Sequence, residues 1–158
     1  MQNYNINDWL DAAQRKADSR STCAKVHVGC VITDKDGEDL VWGFNEGIGR
    51  NCKKEGCHRV ELYGEDSKNH RLPSDCVAIH SEVNAISIAA RFGVSICGAS
   101  IYITRYPCEA CARAIIQAGI KKVIYGRRES VSPMTQRMFD EAGVQTIHAA
   151  WNAEDNNS

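Results

Sequence analysis

Ser100-Ile-Tyr-Ile-Thr-Arg-Tyr-Pro-Cys-Glu-Ala-Cys-Ala-Arg-Ala-Ile-Ile-Gln-Ala-Gly-Ile-Lys-Lys-Val-Ile-Tyr-Gly126 carries a strand, a helix and a second strand in a single run. Ser100 to Thr104 is short and β-branched, Cys108 to Ala118 has helical apolar spacing ended by Gly119, and Lys122 to Gly126 is again strand-like. Such alternation is the pattern of a parallel βαβ unit. Downstream, Pro133 to Ala142 reads as a helix stopped by Gly143, and Val144 to His148 as a last strand. Upstream, Ile79 to Phe92 reads as a helix stopped by Gly93, with Val83, Ile86, Ala89 and Ala90 as its expected buried stripe. Val26 to Thr33 and Leu40 to Asn45 flank Asp34-Lys-Asp-Gly37 as a hairpin, glycine accepting the positive φ of the turn. A first helix runs from Asn7 or Asp8 to Ala17, with Trp9, Leu10, Ala13 and Ala17 on one side. The expected fold is therefore α/β: a mixed five-stranded sheet, hairpin plus parallel units, in a three-layer α/β/α arrangement.

The chain has 158 residues, 43% of them hydrophobic and 25% charged, which suits a single domain with its own core. Within it, 46–75 reads as a Cys/His-rich insertion and 152–158 as a frayed tail. With 19 basic and 20 acidic side chains the net charge is -1, which argues against wide capture of a nucleic-acid backbone. No run is long and apolar enough for a membrane span, and the polar start lacks signal-peptide regions, so a cytoplasmic protein is expected. In a reducing compartment its eight cysteines are better read as metal ligands and buried thiols than as disulfides.

Two motifs carry chemistry. Cys76-Val-Ala-Ile-His80-Ser81-Glu82 places an imidazole two residues before a carboxylate at a helix start, and Pro107-Cys108-Glu109-Ala110-Cys111 places two thiols at another. His80, Cys108 and Cys111 form a zinc ligand set with the fourth position open for water, and Glu82 is an acid left free of the metal. The order of elements brings two helix N-termini to one metal, where their positive ends favour thiolates. A lone Cys-x-x-Cys also fits a redox pair or half of a structural zinc site, but no second pair stands at zinc-ribbon spacing. His80 and Glu82 by themselves would fit an ordinary surface pair, and a non-catalytic zinc module would give Glu82 nothing to do. Asn84, one turn on from His80, is expected to orient its neighbours.

His-x-Glu followed by Pro-Cys-x-x-Cys is the established signature of zinc-dependent nucleobase deaminases. The run from His80 to Ile86, the run from Ile101 to Tyr125, Arg20-Ser-Thr-Cys23, Val28-Gly29, Gly43-Phe-Asn45 and Met138 to Val144 together resemble deoxycytidylate deaminase, particularly the bacteriophage forms. The resemblance implies a cytidine-deaminase-like fold and hydrolysis of dCMP to dUMP and ammonia, supplying dUMP for dTTP synthesis. A zinc-activated hydroxide would attack C4, with Glu82 shuttling protons to N3 and the departing amine. The same resemblance implies that Asn45 binds the deoxyribose and that Thr104 and Tyr106 line the base and sugar pocket. Arg20, Ser21 and Lys25 are candidates for the phosphate on chemical grounds, charge-assisted donors being the strong contacts to a dianion, although Arg20 and Lys25 equally suit solvated surface. The family further implies a hexamer activated by dCTP with magnesium and inhibited by dTTP. Two positions depart from the family pattern: Ser81 stands where alanine is usual, and Glu46 where glycine is usual. Other zinc deaminases, acting on dCTP, cytidine or tRNA adenosine, share the central motif; the last would need a basic surface.

A second, structural zinc is expected from the insertion, which has too few apolar residues to order itself. Cys23, Cys52, His70 and Cys76 are its candidate ligands, with Cys57 and His58 as alternates. The resemblance to phage members supports the Cys23, Cys52 and His70 positions best. Cys30 and Cys97 read as buried thiols.

Overall fold

A computed structural model describes residues 4–69, 75–129 and 131–152. The chain begins with α1 (Ile6–Arg20), capped by Asn5, whose side chain accepts from the Asp8 amide while Asp8 accepts from the Asn5 amide. It continues through β1 (Gly29–Thr33) and β2 (Asp39–Phe44). A second small sheet joins β3 (Glu46–Gly47) to β4 (Ala78–Ile79). Between them lie α2 (Cys52–Glu55), α3 (His58–Tyr63) and a 3-10 turn. Then follow α4 (Ser81–Phe92), β5 (Ser100–Arg105), α5 (Glu109–Gln117), β6 (Lys122–Arg127), α6 (Pro133–Glu141) and β7 (Gln145–His148).

The main sheet has five strands in the order β2-β1-β5-β6-β7. β1 is antiparallel to both β2 and β5, while β5, β6 and β7 run parallel, as the alternation of elements predicts. On one face Cys30, Ile32, Ile101, Ile103 and Val123 pack with Ala85, Ala89, Ala112, Ile115 and Phe139 from α4, α5 and α6. On the other, Leu10 of α1 packs with Ile124, Tyr102 and Ile147. These are the three layers. Each fully buried aliphatic side chain contributes about 1.5–3 kcal/mol through the water it excludes.

Two glycines let helices sit down on the hairpin from opposite sides. A Cβ at Gly29 would lie 2.1 Å from the Ala13 carbonyl oxygen, and one at Gly43 would lie 2.2 Å from that of Ser81. The second close approach matters for chemistry, because it presses the first turn of α4 against β2. Where the edges differ from the sequence reading, the reasons are local. Val26 to Val28 lies outside β1: the Val28 amide donates to the Asn45 side chain instead of to a strand. α2 and α3 were not legible because they are only four and six residues long, and α3 buries none of its side chains.

The buried face of α4 also departs from expectation. Ser81, Glu82, Asn84, Ala85 and Ala89 are buried, while Val83 and Ile86 are half-buried and Ala90 is exposed. Apolar spacing found part of the inward stripe, Ala89 in the core with Ile86 packed against it, and missed the rest because polar residues of the site occupy it. Cys30 is fully buried as expected, but Cys97 is exposed. Its backbone lies in the loop before β5, beside Gly119, rather than in a packed element.

Candidate active site

His80 and Cys108 occupy equivalent places. Each is the N-cap of a helix, His80 of α4 and Cys108 of α5, and neither side chain caps its own helix. Both are thereby available to each other. His80 Nδ1 lies 3.5 Å from Cys108 Sγ and 3.4 Å from Cys111 Sγ. The three ligand atoms all fall within 4.8 Å of one another, the one His/Cys/Asp/Glu group among the described residues to do so. One nitrogen and two sulfurs converging from two helix N-termini fit zinc in ligand type and spacing.

The electrostatics agree with this fit. The Cys108 thiol is held far below its ordinary pKa, chiefly by the hydrogen bond from Cys111 and also by His80. Cys111 is pushed up for the reciprocal reason, with burial adding to it. Hydrogen bonding to Cys108 raises the pKa of His80, while the charge of Arg59 opposes its protonation. Arg59 belongs to α3, within the segment whose helices the apolar pattern does not reveal, and sequence reasoning missed it for that reason.

Glu82 follows in the first turn of α4 and is only 4% exposed. Burial raises the pKa of its carboxyl above the usual range, and Ser81 Oγ donates to its Oε2 at 2.9 Å. A buried carboxylate one turn from the ligand cluster, and not part of it, is positioned for proton transfer. Asn84 holds this turn to the hairpin: its Oδ1 accepts from the Phe44 amide at 3.2 Å and its Nδ2 donates to Glu46 at 3.1 Å.

The remaining site candidates are distributed less simply. Asn45 is buried, its Oδ1 accepting from Ser21 Oγ and the Val28 amide, both at 2.9 Å, and its Nδ2 donating to the Val26 carbonyl at 2.9 Å. One amide hydrogen is left over. Ser21 is 2% exposed and its hydroxyl also lies 2.6 Å from the Asn45 carbonyl. It therefore clamps Asn45, and the expectation that it meets a phosphate is corrected on that ground. Arg20 and Lys25 are exposed. Thr104 is buried and accepts from the Gly29 amide at 3.1 Å. Tyr106 packs edge-on against Tyr125 and donates to Gln136 Oε1 at 3.1 Å.

Among the residues expected to form the second cluster, no three of the described ones bring their ligand atoms within 4.8 Å of one another. Cys52 is buried at the start of α2, and its pKa is raised by burial and then by Cys57, Cys23 and Cys76 around it. The Lys25 amide donates to Cys23 Sγ and the Ala78 amide to Cys76 Sγ, each at 3.4 Å. His70 lies outside the described residues.

Residues 4–127 match the family described as the cytidine and deoxycytidylate deaminase zinc-binding region. The chain is 36% identical to ComE operon protein 2 of Bacillus subtilis over 147 residues, 91% of this chain and 71% of that protein. It is 60% identical over 91 residues to the deoxycytidylate deaminase of Enterobacteria phage T2, 57% of this chain and 48% of the phage protein. It thus spans about half the length of that phage relative. A crystal structure of the dCMP deaminase from cyanophage S-TIM5 in complex with dCMP and dUMP superposes with a TM-score of 0.65 at 24% identity, covering 89% of this chain and 93% of that one. At that identity the likeness concerns the fold.

Proposed function

The chain belongs to the cytidine and deoxycytidylate deaminase zinc-binding family, and from that premise we propose that it hydrolyses dCMP to dUMP and ammonia, providing dUMP for dTTP synthesis. The observation that carries this reading is the buried Glu82 carboxylate beside the cluster of His80, Cys108 and Cys111. Those three residues would hold zinc, His80 through Nδ1. When bound, the ion supplies Lewis acidity that activates water. Glu82 accepts a proton from the attacking water as its oxygen bonds to C4 of the cytosine, and passes that proton to N3. It takes the second proton of the water and delivers it to the amino group. The C4–N bond breaks, ammonia leaves and a carbonyl remains at C4.

The spare amide hydrogen of Asn45 is our candidate for the deoxyribose, with Thr104 and Tyr106 shaping the pocket from β5 and the turn after it. Arg20 and Lys25, exposed at the end of α1 and in the loop after it, are the candidates for the phosphate. Charge-assisted contacts contribute about 1.5–3 kcal/mol each, so the catalytic efficiency on dCMP should exceed that on deoxycytidine by tenfold or more. A hexamer activated by dCTP with magnesium and inhibited by dTTP is part of the same proposal; it rests on the family, from whose pattern Glu46 departs where glycine is usual. The experiment is a set of substrate saturation curves for deoxycytidine, dCMP and dCTP, with dCMP repeated in the presence of each triphosphate. Equal efficiency on nucleoside and monophosphate removes the phosphate site, and superimposable dCMP curves remove the regulation. All eight cysteines are free thiols, in keeping with the cytoplasm as its place of work. Among the described residues no helix is long and apolar enough to cross a membrane.

A second zinc would tie the segment between β3 and β4 to the body of the fold. Cys23, Cys52, His70 and Cys76 are its proposed ligands, with Cys57 and His58 the alternates. Supporting this, Lys53 donates to the Thr22 carbonyl at 3.1 Å and the Gly47 amide to Thr22 Oγ1 at 2.7 Å, so the Cys23 loop already meets both flanking pieces. The parent should hold about two zinc ions per chain, and Cys52→Ser should lose one of them, with a lower melting temperature and residual activity. One zinc in the fully loaded parent refutes the second site.

A further inference from the structure

Ser81 is the first residue of α4 and not its cap, since His80 holds that place. Its hydroxyl therefore has no capping duty and donates to Glu82 Oε2 at 2.9 Å. Ser81 is 0% exposed and Glu82 4% exposed, so no solvent competes for this bond. The backbone of Ser81 is fixed from below as well. Its carbonyl accepts from Cys30 Sγ at 3.2 Å, and Gly43 approaches the same oxygen too closely to carry a Cβ. A residue fixed at both carbonyl and hydroxyl holds one carboxylate oxygen in place.

We propose that Ser81 is a positioning residue that holds the Glu82 carboxylate in the orientation used for proton transfer. This rests on the deaminase reading of the site. A hydrogen bond to a buried charged group is among the stronger ones in a protein, and its loss frees the torsions of the acid without touching the substrate. The effect therefore falls on turnover and not on substrate binding.

The test compares Ser81→Ala and Ser81→Cys with the parent as zinc-loaded full chains, measuring kcat, KM, zinc content and melting temperature. Ser81→Ala should lower kcat about tenfold with KM changed less than about twofold. Ser81→Cys, which keeps a weak donor, should fall between. Zinc content should match the parent's in both. Placed on Glu82→Gln, the alanine substitution should cost nothing further, because the group it positions is gone. Unchanged kcat in Ser81→Ala, or an equal loss in both backgrounds, overturns the proposal while leaving the deaminase reading intact. A parent inactive toward every cytosine compound overturns both.

Discussion

Glu82→Gln should keep its zinc and its fold while losing turnover by a factor of about 100 to 10,000, the range that positioned acid-base groups supply. The amide preserves size and can still accept from Ser81 Oγ, but it cannot take and return a proton. The pH dependence follows from the same side chain. Burial raises the carboxyl pKa, so its proton is retained to a higher pH than on an exposed glutamate. The ionised form is the base; activity in the parent should therefore fall in acid as the carboxyl takes up its proton, and that limb should vanish from whatever activity Glu82→Gln retains. Stability moves the opposite way. Between the unfolded and the raised folded pKa the native state binds more protons, so rising pH destabilises the metal-free protein. Metal-free Glu82→Gln should accordingly melt higher than the parent near neutral pH, and the two should converge in acid. A variant that deaminates at the parent's rate with its metal in place would dismiss the acid-base role.

Cys111→Ser should have a comparably large effect by a different route. Cys111 is buried in the first turn of α5 and lies 3.4 Å from His80 Nδ1. Serine offers a hard, protonated oxygen where a thiolate is needed, and the cluster falls from three donors to two useful ones. The variant should lose the zinc of this site and all measurable activity, and it should melt lower because α4 and α5 are no longer joined through a metal. Metal analysis beside the Cys52→Ser variant distinguishes the sites. Full zinc content in Cys111→Ser would show that this cluster is not the metal centre.

Much of this was legible because the chemistry sits at element boundaries that sequence marks strongly. Pro107 ends β5 territory, Cys108 begins the next helix, and both Cys-x-x-Cys and His-x-Glu fall where apolar runs start. Parallel pairing of β5 and β6 followed from strand and helix alternation alone. The failures have equally specific causes. Ser21 was chosen for its hydroxyl beside two cations, but only the packing reveals that the hydroxyl is consumed by Asn45. The buried stripe of α4 is only partly legible because Ser81, Glu82 and Asn84 are polar and buried, which periodicity of apolar residues cannot register. Among the described residues, the segment from β3 to β4 is tied by polar contacts such as Arg50 with Glu61 and Tyr63 with Asp75, and its short helices leave no periodic trace.

The central claim is that this chain removes the amino group of a deoxycytidine nucleotide by hydrolysis. The most direct measurement is product analysis after incubating the zinc-loaded protein with dCMP. The expected result is dUMP and ammonia formed in equal amounts, with no reaction in Glu82→Gln on the same time scale. No dUMP from the fully loaded parent would contradict the account.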